Sequence, residues 1–208
     1  MLSKYPQIEF AVLVGTHTEE KNSKRSRFPR IRIVDAFASL DSCAIHLCGK
    51  YSRAVNKGDF DEVLPLVDGF GRVQVNARTK DYDPPNVALF AEKFGNQVVV
   101  QVRSKDQAEE WTKFKNIQCL FDTSGGRGKV SINEWPEPYF KHVLCGYAGG
   151  LGPLNINQAL EFVERYPDHR IWLDMETGVR TNDWFDLRKV YKVCEAAWPD
   201  GNQAASAA

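Results

Sequence analysis

Short apolar runs alternate with amphipathic segments along most of the chain. Runs rich in Val, Ile, Leu and Cys predict seven strands, at residues 10–15, 44–49, 72–76, 97–102, 118–122, 142–147 and 171–175. Segments with the spacing of an amphipathic helix lie in most of the intervals, at residues 60–67, 85–94, 106–115, 156–166 and 184–197. Repeated strand–helix units predict the α/β class with a parallel sheet, and near-continuous apolar strands fit a sheet covered on both faces.

Two architectures fit that alternation, a doubly wound open sheet and a barrel of strand–helix units. A dinucleotide-binding sheet places a GxGxxG turn after its first strand, and residues 10–15 are not followed by one. The glycine-bearing turns lie late instead, at residues 124–128, 146–152 and 177–178. In a barrel, glycines after the last strands let backbone amides approach a phosphate. The sequence therefore predicts a TIM (β/α)8-type barrel of parallel strands, with seven of the eight strands visible.

Composition and charge are those of an ordinary soluble globular protein. Of the 208 residues, 43% are hydrophobic and 26% are charged, which suffices for a core without a disulfide or a metal. Lys and Arg together number 27, as do Asp and Glu, so bulk charge draws the chain neither to a nucleic acid polymer nor to a membrane surface. We expect one domain over residues 1–200 and a disordered tail over residues 201–208.

No segment of the sequence is apolar for long enough to span a bilayer, and its start, MLSKYPQIEF, lacks the basic-then-apolar order of a signal peptide. We expect a cytoplasmic protein whose five scattered cysteines are reduced. Cys48, Cys119 and Cys145 lie in predicted strands and are expected to be buried. Because there is no CxxC pair and no His-rich spacing, no metal site is indicated.

A polar segment at residues 16–30 follows the first predicted strand and lacks a helical apolar period. It contains five cationic side chains, Lys21, Lys24, Arg25, Arg27 and Arg30. One interpretation is a solvated surface loop. The other is a lid that closes over an anionic ligand, since long loops at the carboxyl ends of barrel strands usually carry function.

Polar side chains that end the apolar strands are the candidates for chemistry, because these ends line the mouth of a parallel barrel. Asp122 fits either a general acid with a raised pKa or a cap of the next turn. Asp174 and Glu176, two residues apart on one predicted strand, are placed to share a proton or hold a ligand hydroxyl or amine. The remaining strand-end candidates are His46, Lys50, Gln74, Asn76, Gln101, Arg103 and Tyr147. For His46, a nucleophilic pair with Cys48 competes with the role of a satisfied core residue.

Four segments carry recognisable motifs in a consistent order: residues 23–28 (SKRSRF), 120–129 (LFDTSGGRGK), 147–156 (YAGGLGPLNI) and 173–179 (LDMETGV). Together they resemble the phosphoribosylanthranilate isomerase family, whose members are barrels of eight strand–helix units in tryptophan biosynthesis. The segments are similar, respectively, to the family's KSKRY loop, its sixth-strand LLDT-type motif, its seventh-strand SGGL-x-PENV motif and its eighth-strand DVSSGVE motif. The resemblance extends from about Phe10 to Cys194, which is nearly the whole chain.

The resemblance implies a role for each matching residue, and it implies no cofactor. The implied assignments are a general acid at Asp122, phosphate-binding amides at Gly149 and Gly150 with Asn155 opening the next helix, a contact to the anthranilate part at Asp174, phosphate contacts at Thr177 and Gly178, and a substrate-holding arginine at Arg27. We add Glu176, as the partner of Asp174, and Arg103, as a second cation for an anionic ligand, to the candidate ligand-binding residues.

The departures from the family pattern bear on function. The family's first strand carries a KxCG motif whose cysteine is the general base, whereas this sequence opens on what resembles the end of the first helix. Asp122 is thus present without a counterpart of the base, and losing a positioned base costs roughly 10²- to 10⁴-fold in rate. A seven-strand sheet also leaves two unpaired edges. Either the chain is trimmed, or it is an open variant that pairs with a second copy as a homodimer.

We therefore expect a barrel protein that binds a phosphorylated ribosyl or nucleotide-like small molecule, without standard isomerase activity and with a sequestering role. The glycine amides would hold the phosphate, Arg27 or Arg103 would face its oxygens, and Asp122 and Asp174 would hold hydroxyls or amines. One alternative is an active sugar-phosphate isomerase that uses a substitute base. The other is a non-catalytic interaction scaffold.

Overall fold

The computed structural model describes residues 1–15, 27–40, 42–122, 132–139, 141 and 143–201. The chain forms two compact units, which we describe separately. One is Phe10–Phe121, called here the 10–121 unit. The other combines Met1–Glu9 with Asp122–Ala208 and is called the terminal unit because it holds both chain termini. The predicted single domain over residues 1–200 and the disordered tail stay predictions, and residues 202–208 lie outside the described part.

The 10–121 unit is built on parallel strands that pair in sequence order, each with the next. The strands are β1 (Phe10–Val14), β2 (Cys43–Leu47), β3 (Arg72–Val75), β4 (Gln97–Val102) and β5 (Ile117–Asp122), whose last residue belongs to the terminal unit. The helices are α1 (Ile31–Ala38), α2 (Lys50–Lys57), α3 (Val63–Val67), α4 (Pro84–Phe94) and α5 (Lys105–Trp111). Strand, helix and parallel strand therefore follow one another, as the alternation of apolar runs predicts.

The two faces of this sheet differ in polarity. One face carries buried Val, Ile and Leu from neighbouring strands, and it packs on helices: α1 contacts β1 and β2, and the Cys119 Sγ lies 4.0 Å from the carbonyl oxygen of Ala108 in α5. The other face, called here the polar face, carries polar side chains among apolar ones: His46 is in register with Gln74, and Val99 and Leu120 lie on the same face. The polar face is where ligand chemistry is available in this unit.

Local signals in the sequence set the helix starts. The Asp83 carboxylate accepts a hydrogen bond from the Asn86 N–H at 3.0 Å, and Pro84 occupies the first helical position of α4. Ser104 caps α5 in the same way through the Gln107 N–H. Helix α4 ends at Gly95, whose φ of 79° is the left-handed conformation that favours glycine.

The terminal unit contains a parallel strand pair, β6 (Cys145–Ala148) and β7 (Ile171–Leu173), and a short hairpin, β8 (Arg180–Thr181) and β9 (Trp184–Phe185). Its helices are α6 (Ile156–Glu164) and α7 (Leu187–Ala197). Trp135, Tyr147 and Phe162 form an aromatic core whose ring centroids lie 5.0–5.1 Å apart. The Trp135 Nε1 donates to the carbonyl oxygen of Ala148 at 3.1 Å, so the core is tied to the end of β6.

Several details of the sequence-based prediction are wrong. The last helix does not begin at Trp184: Asn182 and Asp183 both have positive φ and form a turn, so Trp184 lies in a hairpin strand and α7 starts only after the capping residue Asp186. Tyr147 faces α6 rather than a strand-end site, because its ring packs on Phe162. Helices α1 and α2 were not predicted, because each is only eight residues long.

The cysteine prediction is confirmed in all but one position. All five cysteines, which lie in the described ranges, are reduced, and Cys119 and Cys145 are buried. Cys48 is only partly buried, because β2 ends at Leu47 and Cys48 lies just beyond the strand. Across the described ranges, every helix is too short or too polar to cross a membrane.

Candidate functional site

The turn after β6 is shaped by two glycines in the terminal unit. Gly149 has a φ of 133° and Gly150 a φ of 68°, backbone angles that residues other than glycine rarely adopt. Asn155 holds this turn from the other end: its Nδ2 donates to the Gly150 carbonyl oxygen at 3.1 Å, and its Oδ1 accepts from the Gly152 N–H at 2.9 Å. Asn155 is also the residue before α6, so its two hydrogen bonds connect the turn to the start of that helix.

The turn after β7 packs against this glycine turn, backbone to backbone. A Cβ on Gly178 would overlap the carbonyl oxygen of Leu151, and a Cβ on Gly152 would lie 2.8 Å from the Gly178 carbonyl oxygen. Both positions therefore require glycine on steric grounds. The two turns that carry Gly149, Gly150, Thr177 and Gly178 are thus brought together, as the barrel prediction requires of the last two strand ends.

Asp174 lies at the centre of the acidic part of this site. Its N–H donates to the Tyr147 carbonyl oxygen at 2.8 Å, which continues the β6–β7 pairing by one residue and fixes its backbone at the strand end. Burial is the largest cause that raises the pKa of the Asp174 carboxyl to about 7, and the charges of Glu176, Asp122 and Glu9 contribute to the same rise. A carboxyl with a pKa near 7 exchanges its proton under physiological conditions, which is what acid–base chemistry requires.

The neighbours of Asp174 are held in different ways. Asp122 is buried, with 7% of its surface exposed. Glu176 lies at the start of a short 3-10 turn, and its Oε1 is 3.8 Å from the Nε of Arg180. The Arg180 side chain also donates a hydrogen bond from Nη1 to the carbonyl oxygen of Asp183 at 2.9 Å. The prediction that Glu176 shares a strand with Asp174 is wrong in secondary structure, because β7 ends at Leu173. The Glu176 charge nevertheless raises the pKa of Asp174, and the prediction that the two carboxyls share a proton or hold a ligand group stays a prediction.

Trp172 lies in β7 two residues before Asp174, which continues the pairing with β6, and two-residue steps return to one face of the sheet. Its indole ring covers Gly146, where a Cβ would lie 2.5 Å from the Trp172 Cε2. In the structure it packs over the glycine of the neighbouring strand and forms an apolar patch on the face that carries Asp174.

The structure divides the predicted site residues between the two units. The terminal unit holds Asp122, Gly149, Gly150, Asp174, Glu176, Thr177 and Gly178. The 10–121 unit holds Arg27, which is partly exposed, and Arg103, which is exposed just beyond β4 with its N–H bonded to the Gln107 side chain at 2.8 Å. Whether these arginines face the ligand stays a prediction.

Two parts of the predicted motifs lie outside the described residues. They are the cationic stretch of the loop at residues 16–26 and the glycine-rich segment at residues 123–130. No pattern in the sequence points to Glu9, whose charge raises the pKa of Asp174 although the two residues are far apart in the chain. Gly152 and Gly146 were detectable only as members of glycine-rich turns, because the partner that each one contacts is distant in sequence.

The chemistry of the terminal unit follows from these contacts. Backbone amides in a glycine turn at the start of a helix suit an anion such as phosphate. A cluster of carboxyls with one near-neutral pKa suits hydroxyl or amine groups, because it offers both acceptors and a proton. No group of three His, Cys, Asp or Glu side chains in the described ranges is arranged to hold a metal ion.

The fold and the site together define a parallel α/β protein with glycine turns and carboxyls at the carboxyl ends of its last strands. The sequence matches the model of the family described as N-(5'phosphoribosyl)anthranilate (PRA) isomerase over residues 85–196, which is more than half of the chain. The chain belongs to this family. No curated protein matches the sequence as a relative.

A comparison of structures agrees on the fold. The chain is similar to a solved structure described as "Native KDPGal structure", with a TM-score of 0.53 and 9% sequence identity, over 93% of this chain and 96% of the other. At this identity the likeness shows the fold alone. With the family match and the parallel strand pairs, it confirms the predicted α/β fold of TIM-barrel type, with seven parallel strands in the described ranges.

Proposed function

We propose that the protein binds a phosphorylated ribosyl or nucleotide-like small molecule in the terminal unit, that it lacks standard isomerase activity, and that binding serves to sequester the ligand. The observation that carries the proposal is the packing of two glycine turns beside a near-neutral carboxyl. Gly149 and Gly150 form the first turn, Gly178 lies in the second, and Asp174 precedes the second turn. Backbone amides suit the phosphate, and a carboxyl suits a hydroxyl or an amine of the sugar or base.

The phosphate end of the proposal rests on backbone amides. Such amides bind an anion without a cationic side chain, and they do so most effectively where a helix begins. The Asn155 side chain is bonded to the glycine turn at both Gly150 and Gly152 and forms no side-chain cap on α6. It therefore serves to hold the shape of the turn, which favours a preorganised anion site.

The sugar or base end rests on the carboxyl cluster. Four fully charged carboxylates would repel a phosphorylated ligand. Because the pKa of Asp174 is about 7, the Asp174 carboxyl is protonated in about half of the molecules near pH 7. A protonated carboxyl donates one hydrogen bond and accepts others, so it can hold a hydroxyl or an amine in either direction. Arg27 and Arg103 are the proposed cations for the phosphate oxygens.

The proposed lack of isomerase activity rests on sequence. The family's KxCG motif, which carries the general base, does not occur in the 208 residues. The alternative of an active isomerase is favoured by a specific observation, because a carboxyl with a pKa of about 7 is suited to act as a base at neutral pH. In that alternative Asp122 donates the proton to the sugar ring oxygen and Asp174 is the substitute base.

One experiment separates binding from turnover. The purified protein is mixed with ribose 5-phosphate, AMP and phosphoribosylanthranilate in turn, and mass spectrometry follows both the free compound and any new species. We expect depletion near one equivalent per chain, with unchanged compound released on heating. Conversion far beyond one equivalent, lost in Asp122→Asn, would establish the isomerase alternative. Absence of binding to all three compounds together with a stable oligomer would favour the scaffold.

The location of the binding site is tested by a pair of glycine variants. Gly149→Asp places a carboxylate in the phosphate turn and should weaken binding by at least about tenfold, since like charges in contact cost several kcal/mol. Gly95→Asp is the matched control, because Gly95 also has a positive φ but lies at the end of α4, with open space around a Cβ. If Gly149→Asp does not fold, Asn155→Ala, which loosens the same turn, takes its place. Unchanged affinity in the folded site variant would overturn the proposal.

A further inference from the structure

The polar face of the 10–121 unit carries a chain of side-chain hydrogen bonds that the proposed phosphate site does not use. The Asn76 Nδ2 donates to the Cys48 Sγ at 3.2 Å, and the Gln74 Nε2 donates to the Asn76 Oδ1 at 2.6 Å. Cys48 follows β2, while Gln74 lies in β3 and Asn76 follows it. The group is therefore located at the carboxyl ends of two neighbouring parallel strands, where ligands bind in folds of this type.

The two hydrogen bonds determine which way the Asn76 amide points. Because its oxygen accepts from Gln74, its NH₂ group is turned to the Cys48 sulfur. A donor directed at sulfur favours the negatively charged thiolate over the neutral thiol. Cys48 also precedes Gly49, the residue at the start of α2, and the positive end of a helix dipole acts in the same direction. The surroundings of Cys48 are those of a nucleophilic thiol.

Accessibility separates Cys48 from the other cysteines. Cys43, Cys119, Cys145 and Cys194 are all buried, with 1–6% of their surfaces exposed, while Cys48 is partly exposed. His46, on the same face, does not supply a positive charge, because burial and the Arg72 charge lower its pKa to about 4 and leave the ring neutral near pH 7. The amide of Asn76, rather than the imidazole of His46, is therefore the group that activates this thiol.

Gln74 supplies an independent sign of a ligand. Only 3% of its surface is exposed, and its Oε1 is a buried oxygen with no hydrogen-bond partner among the described residues. Since Oε1 belongs to the same amide group as the Nε2 that bonds Asn76, it lies beside the Asn76–Cys48 contact on the polar face. A buried acceptor of this kind costs stability unless a donor reaches it. A molecule that occupies this site and carries an O–H group would supply the donor.

We propose that Cys48, Asn76 and Gln74 form a second site, which binds a small hydroxyaldehyde as a reversible thiohemiacetal. The thiol needs an electrophilic carbon, which the aldehyde provides, and the Gln74 oxygen needs a donor, which the hydroxyl provides. The Cys48 sulfur forms a bond to the carbonyl carbon, the C=O π bond breaks, and the proton lost by the thiol is taken up by the former carbonyl oxygen. No oxidation or reduction takes place. The site lies within the 10–121 unit and does not depend on the phosphate site.

The first experiment measures the reactivity of the thiol. The full-length protein is treated with iodoacetamide, and mass spectrometry of its peptides gives the alkylation rate at each cysteine. Cys48 should react at least about tenfold faster than the four buried cysteines, which are internal controls. Asn76→Ala removes the donor to sulfur and should slow Cys48 about threefold to tenfold, the effect of one hydrogen bond. Reaction of Cys48 no faster than the buried cysteines would overturn the proposal.

The second experiment tests the hydroxyaldehyde. Glycolaldehyde and propionaldehyde, which lacks the hydroxyl, are compared for their ability to protect Cys48 from iodoacetamide. Glycolaldehyde should protect at a lower concentration than propionaldehyde. In Gln74→Leu, the protecting concentration of propionaldehyde divided by that of glycolaldehyde should fall to the value measured for a free cysteine peptide. Asn76→Ala should preserve the ratio while weakening both compounds. Absence of protection, or a ratio that is the same in the wild type and in Gln74→Leu, would overturn the proposal.

Discussion

The carboxyl of Asp174 makes the stability of the protein depend on pH in a direction that can be worked out. Its pKa is raised from 3.8 to about 7 in the folded chain, chiefly by burial. Below pH 3.8 the group is protonated in both the folded and the unfolded chain, so it has no effect on the free energy of unfolding. Above that pH the unfolded chain loses the proton first, and the folded chain becomes progressively less stable until the pH passes about 7.

The magnitude follows from the two pKa values. At about 1.36 kcal/mol for each pKa unit, a rise from 3.8 to about 7 corresponds to about 4 kcal/mol. Asp174→Asn keeps the shape of the side chain and removes its charge. We therefore expect the variant to gain stability relative to the wild type by about 1.4 kcal/mol per pH unit between pH 4 and pH 7, and the gain to level off above pH 7.

Urea denaturation followed by tryptophan fluorescence and far-ultraviolet circular dichroism, at pH values from about 4 to about 8, gives this difference directly. Coincident curves from the two methods support two-state unfolding. Asp168→Asn is the control, because Asp168 is an exposed carboxyl whose pKa is lowered by Lys141, 2.9 Å away. Its substitution should reduce stability by a nearly constant amount over this range, because a group with a lowered pKa loses its contribution only as the pH falls below about 4. A pH-independent gain in Asp174→Asn would refute the assignment of a partly buried carboxyl with a near-neutral pKa.

Three further substitutions test the packing of the terminal unit. Gly178→Ala should lower the free energy of unfolding by about 1–3 kcal/mol, because a Cβ at this position overlaps a backbone carbonyl. Gly71→Ala is the control and should have little effect in the same urea assay, because a Cβ at Gly71 has no neighbour within 4 Å. Asn155→Ala should cost about 1–3 kcal/mol through the loss of two hydrogen bonds to the glycine turn, measured by thermal unfolding; an unchanged melting temperature would contradict this. Gly146→Ala should displace the Trp172 ring and shift its fluorescence emission, with Trp172→Phe identifying the contribution of that indole.

Much of the fold was predictable from local pattern. The predicted strand at residues 97–102 coincides with β4, because four apolar side chains are bounded by polar residues at both ends. The helix predicted at residues 85–94 differs from α4 by one residue, since Asp83 and Pro84 form a start signal that depends on adjacent positions. The hairpin at Trp184 was missed because its turn depends on positive φ angles at Asn182 and Asp183. Asn and Asp also adopt negative φ, so their presence in the sequence does not by itself indicate the turn.

The candidate site was predictable in its residues but not in its electrostatics. The motif positions Asp122, Gly149 and Asp174 follow from short patterns in the chain, because each pattern marks the end of a strand. The pKa of Asp174 depends on burial and on Glu9, which is distant in sequence and close in space. The hydrogen bonds among Cys48, Asn76 and Gln74 likewise depend on the register of β2 with β3.

The sequence by itself thus determined the α/β class, the parallel strands and the residues at the strand ends, because alternation and glycine turns are local properties that a linear chain displays. Only the tertiary structure decided which glycines need the absence of a side chain and which thiol is accessible. It also decided which carboxyl holds a proton near pH 7. These properties depend on distances between atoms of residues far apart in the chain, and burial and Coulomb interactions change steeply with such distances.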